Sequence, residues 1–255
     1  ERGAGPWMLT SILVYMELRT RRPPIRRGIL VVPQIYDDLR RRILSAALEP
    51  GASLSESRIA QDYGVSRTPV REAFKKLAED GFLEVVPQVG SFVARIDLRA
   101  VRDSHFIRET LECRIVELAA AACGRDERDL LEKNLERQAD AVNAGDLQGF
   151  FEADEALHRL LAQVAGHANA WQVIHAAKAQ LDRVRQMSLS EPGRLGKRLA
   201  EHRAIVAHVV RGDGAGAAKA MHAHVGTVFE AIRNIAEGNA QYFVGLEERP
   251  ARRTR

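Results

Sequence analysis

The stretch from Ser53 to Val93, SLSESRIAQDYGVSRTPVREAFKKLAEDGFLEVVPQVGSFV, constrains the fold more than any other part of the chain. It predicts a helix, a tight turn, a second helix and a two-stranded hairpin. Ser55 suits a helix N-cap, because its hydroxyl can accept a hydrogen bond from a free amide of the first turn. Ile59, Ala60 and Tyr63 give that helix an inward face, and Gly64 supplies the left-handed residue that ends it. Val65 fills the corner. Ser66 caps the second helix, and Pro69 sits in its first turn, where a missing N–H has no intrahelical partner to lose. Val70, Phe74, Leu77 and Ala78 then recur at helical spacing and face a core. Asp80-Gly81 stops this helix, and Leu83–Val86 and Ser91–Val93 form the hairpin around Pro87-Gln88-Val89-Gly90.

The charge on the second helix lies off its apolar face. Arg67 and Arg71 project from one side near the N-terminus, with Thr68 between them. Such a turn can enter the major groove, where guanidinium groups pair bidentately with guanine O6/N7 or with phosphate. In LSESRIAQDYGVSRTPVREAFKKLAEDGFLEVVPQVGSFV, and most specifically in GVSRTPVREA, the chain resembles the winged helix-turn-helix of the GntR family of bacterial transcription regulators. The resemblance implies that Arg67 and Arg71, with Ser66 and Thr68, contact operator DNA, and that the wing tip from Gln88 to Gly90 reaches the minor groove. One position departs from the family pattern. A further DNA-contacting arginine would fall at Ser57, and Arg58 beside it is the candidate replacement.

Composition places this motif in an ordinary two-domain chain. Of 255 residues 45% are hydrophobic and 28% charged, as in soluble globular proteins. The net charge of +4 sits entirely in residues 1–30, where six arginines face Glu1 and Glu17; the rest of the chain is balanced. Nucleic-acid binding is therefore argued by the placement of arginines, not by net charge. Cys113 and Cys123, the only cysteines, would lie about 15 Å apart on one helix, too far to bond, as expected of a cytoplasmic chain. Trp7–Met16 is too short to span a bilayer. Glu17 and five arginines follow it instead of a small-residue cleavage site, so neither a leader nor a membrane partner is expected.

The domain plan follows. Residues 1–30 are expected to be a disordered tail, 31–95 a DNA-binding domain, 98–240 a helical domain and 241–255 a second tail. The first helix is expected over Pro33–Leu48, with Ile35, Leu39, Ile43, Leu44 and Ala47 inward and Arg40, Arg41 and Arg42 outward, either toward phosphate or merely solvated. Ala94–Asp97 reads as a linker. From Leu98 onward helices are expected near 99–123, 127–144, 147–166, 168–189, 194–211 and 215–238, separated by Gly, Pro and Asp breaks. The fold class is thus mainly α, an N-terminal winged helix-turn-helix followed by an all-α antiparallel six-helix bundle.

The bundle carries ligand-type residues on apolar faces. In FFEADEALHRLLAQVAG the stripe Phe150, Phe151, Leu157, Leu160, Leu161, Val164 contains Asp154, with His158 one turn further along the same face. A buried carboxylate is costly unless paired or metal-bound, and Asp and His at i, i+4 can share one ion. His202 lies among Leu199, Ile205 and Val209, and His224 among Met221, Val228 and Ala231. Asp154, His158, His202 and His224 together point to a divalent metal: zinc first, with nickel, manganese or iron open. His222 and His208 fall off these faces. His105, His167 and His175 are set aside for want of a carboxylate one turn away.

Residues 98–238 also resemble the all-helical FCD domain of the FadR subgroup, in its VanR-like branch. That resemblance implies a metal held by one aspartate and three histidines, at Asp154, His158, His202 and His224. It also implies a small carboxylate effector beside the metal, with Arg108 in FIRETLE helping to bind it. The function expected is a homodimeric regulator on a palindromic operator. The alternative is a metalloenzyme whose winged helix serves only packing; the chain has a single Glu-x-x-His, Glu155 to His158, where di-iron bundles use two.

Overall fold

A computed structural model describes Ile25 and residues 30–246 of the chain. Apart from Ile25 and Leu30, the expected tail over 1–30 lies outside the described residues, as do residues 247–255. The chain divides into two units, one running to Leu98 and taking in residues from Ala236 onward, the other Arg99–Ile235.

In the first unit α1 spans Val31–Leu44, α2 Glu56–Tyr63 and α3 Arg67–Glu79. Strands β1 (Ser53–Leu54), β2 (Leu83–Val86) and β3 (Gly90–Val93) make an antiparallel sheet in the order β1-β3-β2. The local signals act as their chemistry dictates. The Ser55 hydroxyl accepts from Arg58 N at 3.4 Å, and Gly64 closes α2 at φ 65°. Ile35, Leu39, Ile43, Val70, Phe74, Leu77 and Phe82 are buried together between helices and sheet. At the wing tip Val89 N donates to Val86 O at 3.1 Å. Pro87 holds the second position and Gln88 the left-handed third at φ 62°, a type II arrangement.

Four expectations need correction here. Helix α1 stops at Leu44, not Leu48, because Ala46 turns left-handed at φ 55° and Leu48 N donates back to Arg42 O at 2.9 Å. Ser66 precedes α3 in extended backbone but makes no side-chain cap bond. Arg40, Arg41 and Arg42 are engaged within the unit. Arg41 Nη2 donates to the buried Asp38 at 3.0 Å, Arg40 lies over Phe82 at 5.4 Å, and the Arg42 side chain is only 11% exposed. Finally, Ile96–Asp97 is a strand, β4, paired in parallel with β5 (Phe243–Val244). Two-residue strands have no period for a sequence pattern to reveal.

The second unit is all helix: α4 Leu98–Ala122, α5 Arg125–Ala144, α6 Leu147–Val164, α7 Ala168–Ala177, α8 Ala179–Leu189, α9 Arg194–Val210, α10 Gly214–Gly226 and α11 Val228–Asn239. Leu131, Leu157, Leu161, Ile174, Ile205, Val209 and Met221 form its buried centre. Two of the expected spans are interrupted, and captured carbonyls explain both. At the α7–α8 break Ser104 Oγ reaches Ala177 O at 2.5 Å, sharing its one hydrogen between that carbonyl and Ala100 O at 2.6 Å. At the α10–α11 break His224 O accepts from Thr227 Oγ1 at 2.7 Å and from Arg198 Nη1 at 3.1 Å. Each bond competes with the helical ladder and ends it. Among the described residues no helix is long and apolar enough to cross a membrane.

Candidate functional site

Three helices of the bundle converge on one point. Helix α6 brings Asp154 and His158, whose one-turn spacing lays both on its buried face, while α9 brings His202 and α10 His224. One ligand atom from each of the four lies within 4.8 Å of the others, and all four residues are buried. The rings of His202 and His224 are 4.7 Å apart between centroids, and that of His158 is 5.6 and 5.3 Å from them.

The protonation of His202 can be read from a chain of amides. Ala153 O, which can only accept, takes a bond from Asn134 Nδ2 at 3.1 Å. Asn134 Oδ1 then accepts from Gln138 Nε2 at 2.8 Å. That leaves Gln138 Oε1 to accept from His202 Nδ1 at 2.6 Å, so the neutral ring carries its lone pair on Nε2. His202 Nε2 lies 3.3 Å from Asp154 Oδ1 and makes no hydrogen bond. Two acceptors therefore face each other in the interior, an arrangement that calls for a cation between them. His158 Nε2 is likewise buried without a hydrogen-bond partner. The Nδ1 edges of the other two rings meet carboxylates. His158 Nδ1 is 2.7 Å from Glu112 Oε2, off the line of a hydrogen bond, and His224 Nδ1 is 2.9 Å from Glu201 Oε2. An oxygen behind each ring nitrogen that does not ligate is the support metal-binding histidines use.

Electrostatics agree with this protonation. Burial, with His202 and Arg198 nearby, pushes His224 well below the usual imidazole value, and burial outweighs Asp154 to lower His202. For Asp154, burial works to raise the carboxyl, but the Arg185 guanidinium holds it well below its usual range. Arg185 bonds Asp154, Glu155 at 2.8 Å and Asp182 at 2.9 Å, while Lys178 Nζ is 2.5 Å from both Glu155 and Asp182. Arg108 binds Glu112 through Nε at 2.6 Å and Nη2 at 3.1 Å. Arg198 binds Glu201 at 3.0 Å. This network sets five carboxylates against four cations, a net −1 with the histidines neutral.

The first unit carries a separate exposed surface. Ser66, Arg67, Thr68 and Arg71 at the start of α3, Arg58 on α2, and Gln88 and Gly90 at the wing tip are all exposed. Glu56, the first residue of α2, reaches both arginines of α3, with Arg67 Nη2 at 3.3 Å and Arg71 Nη2 at 3.2 Å from its Oε2. Burial works to raise the Glu56 carboxyl, but the bonds from Arg71 and Arg67 lower it.

Both units have counterparts in known proteins. Residues 32–93 match the family of bacterial regulatory proteins, gntR family, and residues 103–227 match the FCD domain. The chain is 39% identical over 210 residues to the HTH-type transcriptional repressor RspR of Escherichia coli (strain K12), covering 82% of this chain and 92% of RspR. The chain belongs to the GntR family. It is also 38% identical over 221 residues to the uncharacterized regulator YdfH of Escherichia coli O6:H1, covering 87% of this chain and 94% of that one. Its fold matches the solved structure of E. coli McbR/YncC with a TM-score of 0.63 at 22% identity, covering 84% of this chain and 99% of that chain. The protein is thus a DNA-binding transcription regulator of FadR-like architecture, and its relatives are regulators, not enzymes.

Within this GntR-family chain, the residues around the four-residue cluster were the ones missed in sequence. Asn134 and Gln138 were legible, since with Leu131 and Ala141 they occupy the buried stripe of α5. Glu112, Arg185 and Glu201 carried no such signal, because helices distant in sequence bring them in. Arg108 is buried, and its guanidinium is already taken by Glu112. His222 and His208 stand apart, paired with Glu109 at 2.6 Å and Asp213 at 2.7 Å. His105 does have a carboxylate one turn on, Glu109 at 3.6 Å, but the pair lies outside the four-residue group.

Proposed function

We propose that this regulator holds a divalent metal on Asp154, His158, His202 and His224 and reads a small carboxylate effector beside it. The observation that carries the reading is the pair of acceptors, His202 Nε2 and Asp154 Oδ1, 3.3 Å apart with nothing between them to donate. One carboxylate and three imidazoles suit zinc first, and nickel, manganese or iron if further oxygens complete the shell. The metal would act as the Lewis acid that receives the effector's carboxylate. Arg108 contributes to the effector site through Glu112, not as a free guanidinium.

On the DNA side, Arg67 and Arg71 read base edges in the major groove, with Ser66 and Thr68 on the backbone beside them. Arg58 and the wing tip at Gln88 and Gly90 contact the flanking duplex. A single short recognition helix reads few base pairs, so a homodimer on a palindromic operator in the cytoplasm is the working form. Effector would act only as far as its affinity differs between DNA-competent and DNA-incompetent arrangements.

Elemental analysis of the purified chain tests the metal. We expect about one zinc, nickel, manganese or iron per chain, or uptake on adding these ions, with a melting temperature raised by metal as for any ligand of the native state. No metal and no uptake would end this reading. Titration of a duplex selected by the chain from a random pool tests the DNA side, with Arg67→Ala or Arg71→Ala expected to cost about 1–3 kcal/mol.

A further inference from the structure

The contact between Glu56 and the two arginines of the recognition helix contributes little to stability. Exposed ion pairs are screened by solvent, and here both arginine side chains are more than half exposed, at 59% and 68%. The geometry is nonetheless specific. Glu56 is itself only 23% exposed, set at the first turn of α2. From there its Oε2 receives Arg67 Nη2 and Arg71 Nη2, and Arg71 Nε lies at 3.4 and 3.5 Å from its two oxygens. The carboxylate is the more buried partner, and the two guanidinium groups converge on it from more exposed side chains.

We infer that Glu56 is a positioning residue that makes Arg67 and Arg71 discriminate base edges from phosphate. The inference rests on the reading that these two arginines meet the major groove. Two physical effects of one carboxylate support it. First, a free arginine side chain loses much rotamer entropy on being fixed; tethering both to a common oxygen removes part of that loss before binding, which favours the one geometry that matches a base edge. Second, non-specific binding follows the number of phosphates neutralised by cations. With Glu56 between them the two arginines present a net charge of +1 instead of +2, so the pair gains less from phosphate alone. Specific contact, which depends on the fork geometry of the guanidinium, is preserved.

The test compares Glu56→Gln and Glu56→Asp with wild type on the selected duplex and on a scrambled duplex of equal length, across a salt series. Gln keeps the size and an acceptor oxygen but removes the charge. We expect non-specific affinity to rise, selected-duplex affinity to fall, and their ratio to drop about tenfold, the low end of what one bidentate base contact contributes. The non-specific salt slope should steepen by about 0.9, as for one additional phosphate neutralised. Asp keeps the charge but is one methylene shorter, so it should restore the salt slope and not the ratio. Thermal melts of all forms check that α2 remains folded, since an acid near a helix N-terminus adds only a small stabilisation. An unchanged ratio in Glu56→Gln, or an equal loss on both duplexes, would overturn the inference. Arg67→Ala and Arg71→Ala run beside them: if these leave the selected-duplex affinity intact, the recognition-helix reading itself fails and takes this inference with it.

Discussion

Glu112→Gln separates a metal-supporting role from ordinary packing. Glu112 is buried with Arg108 at 2.6 Å on one side and His158 Nδ1 at 2.7 Å on the other. Burial works to raise its carboxyl, yet the Arg108 guanidinium holds it below the usual range. The glutamine keeps the shape but removes the charge that orients His158. Residues supporting a metal ligand in this way typically carry 10–100-fold in affinity, so the loss expected is about 1.4–2.7 kcal/mol. Arg108 is meanwhile left buried without its counter-charge, and breaking such a pair costs about 3–5 kcal/mol of stability; the retained amide oxygen puts Gln at the low end. Metal affinity is measured by competition with a chelating dye, and stability by melting the metal-free chain. The double variant Arg108→Met with Glu112→Leu then divides the two effects. Replacing a buried ion pair by apolar residues of similar volume is often neutral, so most stability should return while metal affinity stays low. A double variant that binds metal as tightly as wild type would refute the idea that Glu112 acts on the metal through His158.

Three further outcomes are expected. His202→Ala should strip most metal from the purified chain, whereas His208→Ala and His222→Ala, which lie outside the cluster, should leave elemental content unchanged. Acid should destabilise the metal-free bundle: His202 and His224 are held neutral below the ordinary value of 6.5, so the unfolded chain binds more protons once pH falls below that value. Stability should then decline toward lower pH in denaturant titrations, with Asp154 adding a loss of the same sign below its ordinary 3.8. In the first unit, Gly64→Ala should cost about 1–2 kcal/mol in denaturant midpoint, because φ is +65° and a Cβ would meet nothing within 4 Å, leaving backbone strain as the only effect.

The contrast between the two units shows which features of this chain are local. The helix-turn-helix was legible residue by residue: Ser55 caps, Gly64 turns left-handed, and Val70, Phe74 and Leu77 repeat at helical period, all decided within a turn or two of backbone. The four cluster residues were legible for a related reason. A carboxylate or imidazole on an apolar stripe is visible wherever the stripe is, so Asp154, His158, His202 and His224 could be named before their meeting point was known. Sequence could not supply partners that arrive from elsewhere. Ser104 meets Ala177 O across 73 residues of chain, Arg198 and Thr227 interrupt the last helical span by taking one carbonyl, and Glu112 and Glu201 meet histidine edges from two different helices. Glu56 likewise meets Arg67 and Arg71 only because the turn between α2 and α3 brings it to them. Periodicity records which face of a helix is apolar; which charge waits on the opposite helix is decided by packing, and there the protonation and orientation of the site are settled.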